Sequence, residues 1–402
     1  MSSGAKLCYN IFMQSIIDVK NLYGKKVLVR VDFNIPLDKG RVVSDYKLVR
    51  SLPNIVYLLK AGAVVILVSH LGRPSGKDKK LSLKPIAARL EKLLQKKITF
   101  CNISTAADWK KLKTNTSSAR PGTLFMLENI RFLKGEETEN SDLSKKLADF
   151  CDLFVLDGFG VSHRRGSSVT GVARYVPAYA GLLLCEEISI LGDVFRKPRR
   201  PLVVLLGGAK AETKIPILKK LLSIADYILI GGGIFNTYLS AKGKKIGDSI
   251  ISSSHENEVL KYCQNKKVIL PIDVVVGSED GEGARAVDVD ELKIGKDEAI
   301  FDIGPNTVKL FASHIKKAKT LIWNGALGMF EQPPYQYGTY ALVRLFAARS
   351  RGRAFGICGG GETVEILEHL NLMPEIDLVS TGGGAMLEYL SGNKLPGLES
   401  LK

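Results

Sequence analysis

A glycine turn followed by two lysines is the first place in this chain where residue types and spacing could do chemistry. The run Gly207-Gly208-Ala209-Lys210 follows an apolar stretch, Pro201–Leu206, and Lys214 comes four residues after Lys210. A strand that ends in glycines at the start of a helix exposes backbone N–H groups to phosphate oxygens at the positive helix end. Two lysines one helical turn apart add charge on the same side. The pattern indicates either a phosphate site or a tight strand-to-helix turn with solvated lysines.

The segments that follow the other apolar runs differ between the two halves of the chain. Those of the first half carry arginine, histidine, aspartate and asparagine: Arg30–Asn34, Ser69–Arg73, Glu128–Arg131 and Asp157–Gly160, with His163-Arg164. Those of the second half are mostly glycine: Gly207–Lys210, Gly231–Gly233, Asn324-Gly325, Gly359–Thr363 and Gly382–Gly384, with Asp273. Arginine suits a small, multiply charged phosphate or carboxylate, whereas glycine turns at helix starts suit nucleotide phosphates. One segment alone could be a turn or a surface ion pair, but their sorting by half favours two ligand sites.

The elements that must position these segments alternate between short apolar runs and helical patterns, as in parallel βαβ units. Ligands of open parallel sheets bind beyond the carboxyl ends of the strands, where these polar and glycine segments fall. The fold class predicted is α/β, with two doubly wound parallel-sheet domains joined by a hinge helix. The predicted strands are Val27–Val31, Ala63–Val68, Ile98–Cys101, Thr123–Leu127, Leu153–Asp157, Leu202–Leu206, Tyr227–Ile230, Lys267–Leu270, Thr320–Trp323, Ala354–Ile357 and Ile376–Val379.

A helical pattern near the middle of the chain marks the boundary between the halves. Ile188, Leu191 and Phe195 fall on one helical face, and Lys197-Pro198 ends the helix. Two domains are also the expectation for 402 residues. The predicted division is a first domain at 1–184, a hinge helix and connector at 185–200, a second domain at 201–386 and a tail at 387–402.

Composition restricts the class of protein without deciding its function. The hydrophobic share of 45% and the charged share of 24% are typical of soluble globular proteins, and neither a membrane span nor a signal peptide is expected. The net charge of +16 favours polyanionic partners, yet the lysine pairs are scattered and form no single stripe. The six cysteines are far apart, which indicates separate, mostly reduced thiols, a cytoplasmic protein and no zinc site.

The standard nucleotide motifs are missing, but longer strings match a known family. Lys210 and Lys214 do not fall in a P-loop motif, and the Gly231 cluster lacks the dinucleotide spacing, which disfavours a P-loop enzyme or an ordinary dehydrogenase. Over nearly the whole chain the sequence resembles the phosphoglycerate kinase family. The matching strings are Arg30–Pro36 (RVDFNIP), Ser69–Pro74 (SHLGRP), Gly207–Lys214, Asp302–Pro305 (DIGP), Trp323-Asn324-Gly325, Gly359–Thr363 and Ser380–Gly384 (STGGG).

The resemblance implies a reversible phosphotransferase with a carboxyl group as acceptor. It would transfer a phosphoryl group between 1,3-bisphosphoglycerate and ADP, giving 3-phosphoglycerate and MgATP, in glycolysis and gluconeogenesis. The family also implies a cytoplasmic monomer whose partners are these substrates, with neither nucleic acid nor membrane. A carboxylate nucleophile is already ionised near neutral pH, so catalysis needs positioning and charge cancellation rather than a general base. Substrates held on opposite domains would make hinge closure a functional step.

The resemblance also implies residue roles, first in the substrate domain. Asp32 and Asn34 would hold the hydroxyl and carboxylate end of the glycerate. The basic pocket for the non-transferred phosphate would consist of His70, Arg73, Arg131 and Arg164. The tail segment Leu395-Pro396-Gly397 would fold back onto this domain.

In the second domain the resemblance implies a nucleotide site. Lys214 would contact the nucleotide phosphates, Asn324 the phosphate chain and Glu331 the ribose hydroxyls. Lys210 would follow the transferred phosphoryl group, assisted by the N–H groups near Gly360 and Gly383. Further nucleotide-binding positions would be Gly208, Gly359, Gly361 and Thr363.

Two positions depart from the family pattern. Glu362 stands where the family has an aspartate that serves Mg²⁺, so it could ligate the metal directly or through a water. Lys47 stands where the family has an arginine, six residues before the helix proline Pro53, and a lysine keeps the charge but loses the bidentate fork. Arg50, three residues on and nearly on the same helical face, is the alternative for that role.

Two other functions remain open at this stage. One is a different acyl-phosphate or small-molecule kinase on the same two-domain plan. The other is a basic nucleic-acid-binding protein, whose affinity would fall steeply with salt.

Overall fold

The chain forms two units in a computed structural model that describes residues 13–401. Unit 1 comprises Met1–Ile190 and Lys394–Lys402, and unit 2 comprises Leu191–Asn393. Helix α5, Leu182–Arg196, begins in unit 1 and ends in unit 2. It ends one residue before Lys197-Pro198, as predicted, but starts three residues before the predicted hinge at residue 185.

Unit 1 is built on a six-stranded sheet in which every pairing is parallel, with strand order β5-β6-β4-β1-β7-β8. Helices and a short hairpin, β2-β3, connect the strands. In chain order the elements are β1 Lys26–Arg30, β2 Leu37–Asp38, β3 Arg41–Val42, α1 Tyr46–Lys60, β4 Val64–Val68, α2 Lys84–Leu94, β5 Thr99–Cys101, α3 Ala106–Ser117, β6 Leu124–Leu127, α4 Ser141–Ala148, β7 Leu153–Leu156 and β8 Ala178–Ala180.

The main sheet of unit 2 has six parallel strands in the order β11-β10-β9-β15-β16-β17. A separate antiparallel sheet has the order β13-β12-β14. The elements are β9 Leu202–Leu206, α6 Ile215–Ile224, β10 Tyr227–Ile230, α7 Gly232–Ala241, α8 Glu256–Cys263, β11 Val268–Ile269, β12 Asp273–Gly277, β13 Arg285–Asp288, β14 Ala299–Ile303, α9 Pro305–Lys317, β15 Thr320–Asn324, α10 Tyr337–Ser350, β16 Phe355–Gly359, α11 Gly361–His369, β17 Leu378–Ser380 and α12 Gly383–Leu390. The short helix α13, Pro396–Glu399, belongs to unit 1.

The central strands form because their apolar runs can be buried on both faces. All five residues of β4 and all five of β9 are buried, as expected for parallel strands covered by helices on both sides. Helix α1 packs Leu48, Ile55 and Leu58 into the core of unit 1, and Pro53 lies inside it without ending it. The predicted α/β class with two parallel sheets is confirmed.

Several local features were not predicted. The antiparallel sheet of unit 2, the hairpin β2-β3 and the edge strand β8 were not predicted. Phe195, predicted on the same helical face as Ile188 and Leu191, lies with them in α5 and is 38% exposed near its end, while those two are fully buried.

The cysteines only partly match the prediction of separate, reduced thiols. Four are free and buried: Cys101, Cys151, Cys263 and Cys358. Cys185 is disulfide-bonded, against the prediction. Cys8 lies outside the described residues. Within residues 13–401, no helix has the length and apolar character needed to cross a membrane.

Candidate functional site

The polar segments of unit 1 gather at one edge of its sheet. Strand β1 lies between β4 and β7, so the residues that follow these three strands are neighbours at their carboxyl ends. Backbone hydrogen bonds continue past the strands here, from Val31 N to Val68 O at 3.0 Å and from Asp157 N to Arg30 O at 2.9 Å. This edge carries Asp32, Asn34, His70 and the loop with Arg164.

Lys47 and Asp32 form an ion pair at this edge. Nζ of Lys47, in the first turn of α1, lies 2.7 Å from Oδ2 of Asp32, which is 7% exposed. Burial alone raises the pKa of Asp32, but the charge and hydrogen bond of Lys47, together with His70 and Arg30, outweigh it and lower the pKa to about 2. Arg50, the alternative to Lys47, instead pairs with Glu186, with Nη2 and Oε2 3.1 Å apart. The cation next to Asp32 is therefore Lys47.

Asn34 and Arg131 form hydrogen bonds with the backbone N–H and C=O of Gly72, respectively. Oδ1 of Asn34 accepts a hydrogen bond from Gly72 N at 2.9 Å, and Nη1 of Arg131 donates to Gly72 O at 2.6 Å. Nη2 of Arg131 also pairs with Glu137 at 3.0 Å. Arg73, the next residue after Gly72, is exposed. These contacts fix the loop that carries Arg73.

A basic cavity of about 510 Å³ lies in unit 1. Two of its lining residues, Arg131 and Arg164, were predicted for the phosphate pocket. His70 and Arg73, predicted with them, are not in its lining. The full lining is Arg30, Arg131, Glu136, Glu137, Val161, His163, Arg164, Arg165, Val169 and Pro396.

The tail contributes one wall of this cavity through Pro396. Gly397 N donates to Ser162 O at 2.8 Å, next to His163. Nε of Arg164 donates to Nε2 of His163 at 3.1 Å. Burial and the charge of Arg164 lower the pKa of His163 to about 4, so this histidine is neutral at physiological pH.

Arg30 is a site residue that the sequence reasoning missed. Its side chain is 2% exposed and it lines the cavity. Nε donates to Ser168 Oγ at 2.8 Å, Nη2 lies 3.2 Å from His70 Nδ1, and Nη1 donates to Val31 O. The sequence does contain a signal for Arg30, because an arginine at the end of an apolar strand is a buried charge that must have polar partners.

In unit 2 the glycine turn lies where the strand order reverses. Strands β9 and β15 are adjacent, and Gly207 N donates to Asn324 O at 3.1 Å while Gly208 N donates to Ala326 O. Gly208 has a φ of +93°, and a Cβ built there would stand 2.6 Å from Oε2 of Glu362. The turn therefore requires glycine both for its backbone conformation and for its close neighbours. In doubly wound folds this position is the usual ligand crevice.

The two lysines of this turn differ in environment. Lys214 is 8% exposed, and its Nζ donates to Gly207 O. Burial lowers its pKa, and Glu362 opposes that shift. Lys210 is exposed, and a short 3₁₀ turn, Ala211–Thr213, separates the two lysines. The expectation that they share one face of a helix was wrong, since α6 begins only at Ile215.

The start of α11 is tied to the end of β15. Ala326 N donates to Oε2 of Glu362 at 3.1 Å, and Gly325 N donates to Oγ1 of Thr363 at 2.8 Å. Nδ2 of Asn324 donates to Gly383 O at 3.4 Å, so the start of α12 is also linked to the end of β15. The structure thus brings five predicted residues into one neighbourhood: Gly208, Lys214, Asn324, Glu362 and Thr363.

Helix starts surround this neighbourhood. Helices α7, α11 and α12 begin immediately after the carboxyl ends of β10, β16 and β17. Gly360, with a φ of +103°, is the N-cap of α11, Gly361 is its first residue, and Gly359 ends β16. Gly383 is the first residue of α12. Backbone N–H groups and positive helix ends at one sheet edge can bind phosphate oxygens.

Glu331 is the predicted residue with the weakest geometric link to this neighbourhood. It is exposed, and no hydrogen bond joins its side chain to the glycine turn in the described residues. Burial of part of its carboxyl raises its pKa, and Glu365 and Glu362 add to the shift. These two influences indicate that Glu331 is near α11.

Glu362 accepts a hydrogen bond from Ala326 N beside the glycine turn, and residues 13–401 contain no cluster of three or more potential metal ligands. Mg²⁺ commonly takes one or two protein carboxylates and completes its shell with water and substrate phosphates. The close approach of the Glu362 carboxylate to the space above Gly208 therefore fits Mg²⁺ bound together with a nucleotide.

Comparison with known proteins gives consistent matches over nearly the full chain. The family described as phosphoglycerate kinase matches residues 16–393. The phosphoglycerate kinase of Dictyoglomus turgidum is 41% identical over 396 residues, covering 97% of this chain and 99% of the relative. That of Coxiella burnetii is 40% identical over 393 residues, covering 95% of this chain and 96% of the relative.

Solved structures agree with these matches. The structure of phosphoglycerate kinase from Coxiella burnetii has a TM-score of 0.79 at 36% identity, with 97% of this chain and 98% of that chain covered. The crystal structure of the enzyme from Pyrococcus horikoshii has a TM-score of 0.85 at 28% identity, with the same coverage.

Proposed function

This chain belongs to the phosphoglycerate kinase family and transfers a phosphoryl group between 1,3-bisphosphoglycerate and ADP in glycolysis, and we propose that its two units divide the substrates between them. Unit 1 binds 3-phosphoglycerate, and unit 2 binds ADP or ATP. The observation that carries this division is the contrast between the arginine-lined cavity of unit 1 and the glycine turn with helix starts in unit 2. The substrates meet by closure at the hinge.

In unit 1 the anionic substrate is held by charge and by fixed donors. Arg131, Arg164 and Arg30 receive the phosphate that is not transferred, with His70 and Arg73 completing the pocket. Asp32 and Asn34 hold the glycerate end. Arginine side chains form paired hydrogen bonds with the oxygens of phosphate and carboxylate groups. These residues therefore favour a small dianionic ligand over a large ligand with a single charge.

In unit 2 the nucleotide phosphates meet backbone N–H groups and one buried ammonium. Lys214 and Asn324 contact the phosphate chain, together with Gly208, Gly359, Gly361 and Thr363. Glu331 takes the ribose hydroxyls. Gly360 and Gly383, at the starts of α11 and α12, direct N–H groups at the phosphoryl group in transit, and the exposed Lys210 follows it.

Lys47 performs the role of the arginine found in the family. Its ion pair with Asp32 supports this assignment, because Asp32 belongs to the segment that holds the substrate. Arg50 pairs with Glu186 and is not needed for the role. A point charge neutralises the transferring phosphoryl less effectively than a planar fork, so the substitution reduces the rate rather than changing the reaction.

Mg²⁺ accompanies the nucleotide in this proposal. Glu362 would hold it, directly or through a water, and when bound the ion would neutralise charge on the nucleotide phosphates. The groups that the chain itself supplies for the transfer are the ammonium groups of Lys47 and Lys210 and the N–H groups at Gly360 and Gly383.

We further propose a cytoplasmic monomer that acts on these small substrates, with neither nucleic acid nor a membrane as partner. Four of the five cysteines among the described residues are free, as is usual in a reducing compartment, whereas the disulfide at Cys185 is atypical there. The net charge of +16 then serves to attract anionic substrates.

The test is a coupled assay of ADP release from MgATP, started by adding 3-phosphoglycerate. ADP formation that depends on both substrates supports the proposal. ATP hydrolysis without an acceptor would instead indicate an ATPase, and transfer only to a different carboxylic acid would indicate another kinase on the same fold.

A further inference from the structure

Four buried side chains, those of Glu136, Ser168, Arg30 and His70, form a continuous network of contacts beside the basic cavity of unit 1. Ser168 N and Oγ donate to the two carboxylate oxygens of Glu136, at 3.0 and 2.6 Å. Ser168 Oγ accepts from Nε of Arg30 at 2.8 Å. Nη2 of Arg30 lies 3.2 Å from Nδ1 of His70. None of these four side chains is more than 4% exposed, and Arg30 and Glu136 line the cavity.

The hydrogen-bond chemistry of these groups allows one direction for each contact. An arginine side chain has only donors, so Ser168 Oγ must accept from Arg30 and direct its own proton to Glu136, whose carboxylate only accepts. For the same reason Nδ1 of His70 must accept from Arg30. A neutral imidazole that accepts at Nδ1 carries its proton on Nε2.

We propose that Glu136 and Ser168 are positioning residues that act through Arg30 to hold His70 as the neutral tautomer with its proton on Nε2. The significance for catalysis rests on the proposed function, in which His70 belongs to the 3-phosphoglycerate pocket. No hydrogen bond within residues 13–401 uses Nε2 of His70. That N–H group is a donor for an anionic oxygen of the substrate.

The surroundings of His70 favour the neutral ring over the imidazolium. Burial lowers its pKa well below the usual value, and the charges of Arg30 and Arg131 lower it further, while Asp32 opposes them. A neutral donor gives the substrate a hydrogen bond without adding another positive charge next to Arg30 and Arg131. In this arrangement the arginines attract the anionic substrate by charge, and His70 orients it through one hydrogen bond.

The backbone around Ser168 is unusual in a way that serves these contacts. Ser168 lies in a five-residue π-helical turn, Ser167–Gly171, and such turns are rare and often occur at functional sites. The turn presents both the N–H and the hydroxyl of Ser168 to Glu136. Arg30, at the end of β1, is thereby fixed between this turn and His70, which follows β4.

The direct test is the tautomer of His70 in the full-length protein without substrate. Long-range ¹H–¹⁵N NMR of ¹⁵N-histidine-labelled protein near neutral pH distinguishes the two tautomers and the imidazolium. His70→Gln identifies the His70 signals among those of the five histidines. The expected result is a proton on Nε2 and none on Nδ1. A proton on Nδ1, or a charged ring, would overturn the proposal whatever the substrate of the enzyme is.

Variants then test the role of the positioning residues. Ser168→Ala and Glu136→Gln should shift His70 toward the other tautomer or a mixture, and Ser168→Thr, which keeps the hydroxyl, should restore the wild-type signals. Ser167→Ala is the matched control, because the Ser167 hydroxyl donates to Gly135 O at 2.8 Å and has no contact with Arg30. Wild-type signals in Ser168→Ala would also overturn the proposal.

Kinetics provide a second readout. Ser168→Ala should raise the KM for 3-phosphoglycerate on the order of tenfold, with a smaller effect on kcat, since the donor is present in ground state and transition state alike. Ser167→Ala should have a melting temperature similar to that of Ser168→Ala, and its KM for 3-phosphoglycerate should equal that of the wild type. If wild-type protein shows the expected tautomer but does not bind 3-phosphoglycerate, the proposed function fails while the positioning of His70 stands.

Discussion

Gly208 faces the carboxylate of Glu362 so closely that a Cβ on Gly208 would stand 2.6 Å from Oε2. The same Cβ would also collide with Nζ of Lys214. This space is bounded by the groups proposed to bind the phosphates and the metal of the nucleotide. A glycine is therefore needed at this position for ligand access as well as for its φ of +93°.

Gly208→Ala should impair nucleotide binding specifically. The added methyl group occupies the space between Lys214 and Glu362, so we expect the affinity for MgADP to fall by about tenfold or more, with the free energy of unfolding reduced by roughly 1–3 kcal/mol. Gly243→Ala is the matched control, because Gly243 also has a positive φ, +75°, but a Cβ there would meet nothing within 4 Å. Titration calorimetry and thermal unfolding of both variants give the comparison. Equal MgADP affinities in the two variants would contradict the assignment of this turn.

Lys210→Ala and Arg73→Ala should affect different kinetic constants. Lys210 is assigned to charge that develops during transfer, so its loss should reduce kcat on the order of 10²–10³-fold. Arg73 is assigned to the phosphate that is not transferred and is present throughout, so its loss should mainly raise the KM for 3-phosphoglycerate. Steady-state kinetics with each substrate varied in turn would separate the effects. A kcat for Lys210→Ala within a few fold of wild type would remove Lys210 from the catalytic set.

Glu362→Gln should weaken MgADP binding while leaving the local fold intact. Glutamine keeps an oxygen that can accept from Ala326 N, which now donates to Oε2 at 3.1 Å, but it removes the negative charge. We expect at least about a tenfold loss of MgADP affinity, a dependence on Mg²⁺ concentration and little change in the KM for 3-phosphoglycerate. Glu362→Asp should remain active. Glu365→Gln, an exposed neighbour on the same helix, is the control, and an equal loss in that variant would argue against a role for Glu362 in metal binding.

Asp302 should make folding stability depend on pH. Burial raises the pKa of Asp302 to about 8, although the hydrogen bond from Gly338 N opposes the shift. Between about pH 4 and pH 8 the unfolded chain releases this proton while the folded protein keeps it, so raising the pH destabilises the folded state. In Asp302→Asn this dependence is absent.

The stability of Asp302→Asn relative to wild type should therefore improve by roughly 1–4 kcal/mol from pH 5 to pH 8. Chemical denaturation at several pH values measures the difference. Asp297→Asn, at an exposed aspartate, should show no such trend. A constant difference between Asp302→Asn and wild type would mean that Asp302 is ionised in the folded protein.

The parts of the fold that could be predicted are those specified by local apolar runs. Strands β4 and β9 are apolar along their whole length, so burial on both faces could be inferred directly. Strand β13 was not recognised, because its residues are exposed or only partly buried and two of its four residues are charged. Such a strand depends on pairing with β12 rather than on its own hydrophobicity.

The candidate site shows the same distinction. Glycines and basic residues at strand ends carry a sequence signal, and the structure places Gly208, Lys214, Asn324 and Glu362 together. The contacts of Ser168 have no such signal, because its partners Glu136 and Arg30 are 32 and 138 residues away in the sequence. Their relation exists only in the folded chain.

We propose that Lys47, paired with Asp32, takes the place of the arginine of the family in the active site. The most direct test is kcat, measured with saturating MgATP and 3-phosphoglycerate, for Lys47→Ala, Lys47→Arg and Arg50→Ala. We expect a loss on the order of 10²–10³-fold in Lys47→Ala, a rate equal to or above wild type in Lys47→Arg and a rate near wild type in Arg50→Ala. A large loss in Arg50→Ala with a nearly normal rate in Lys47→Ala would contradict the claim and assign the role to Arg50.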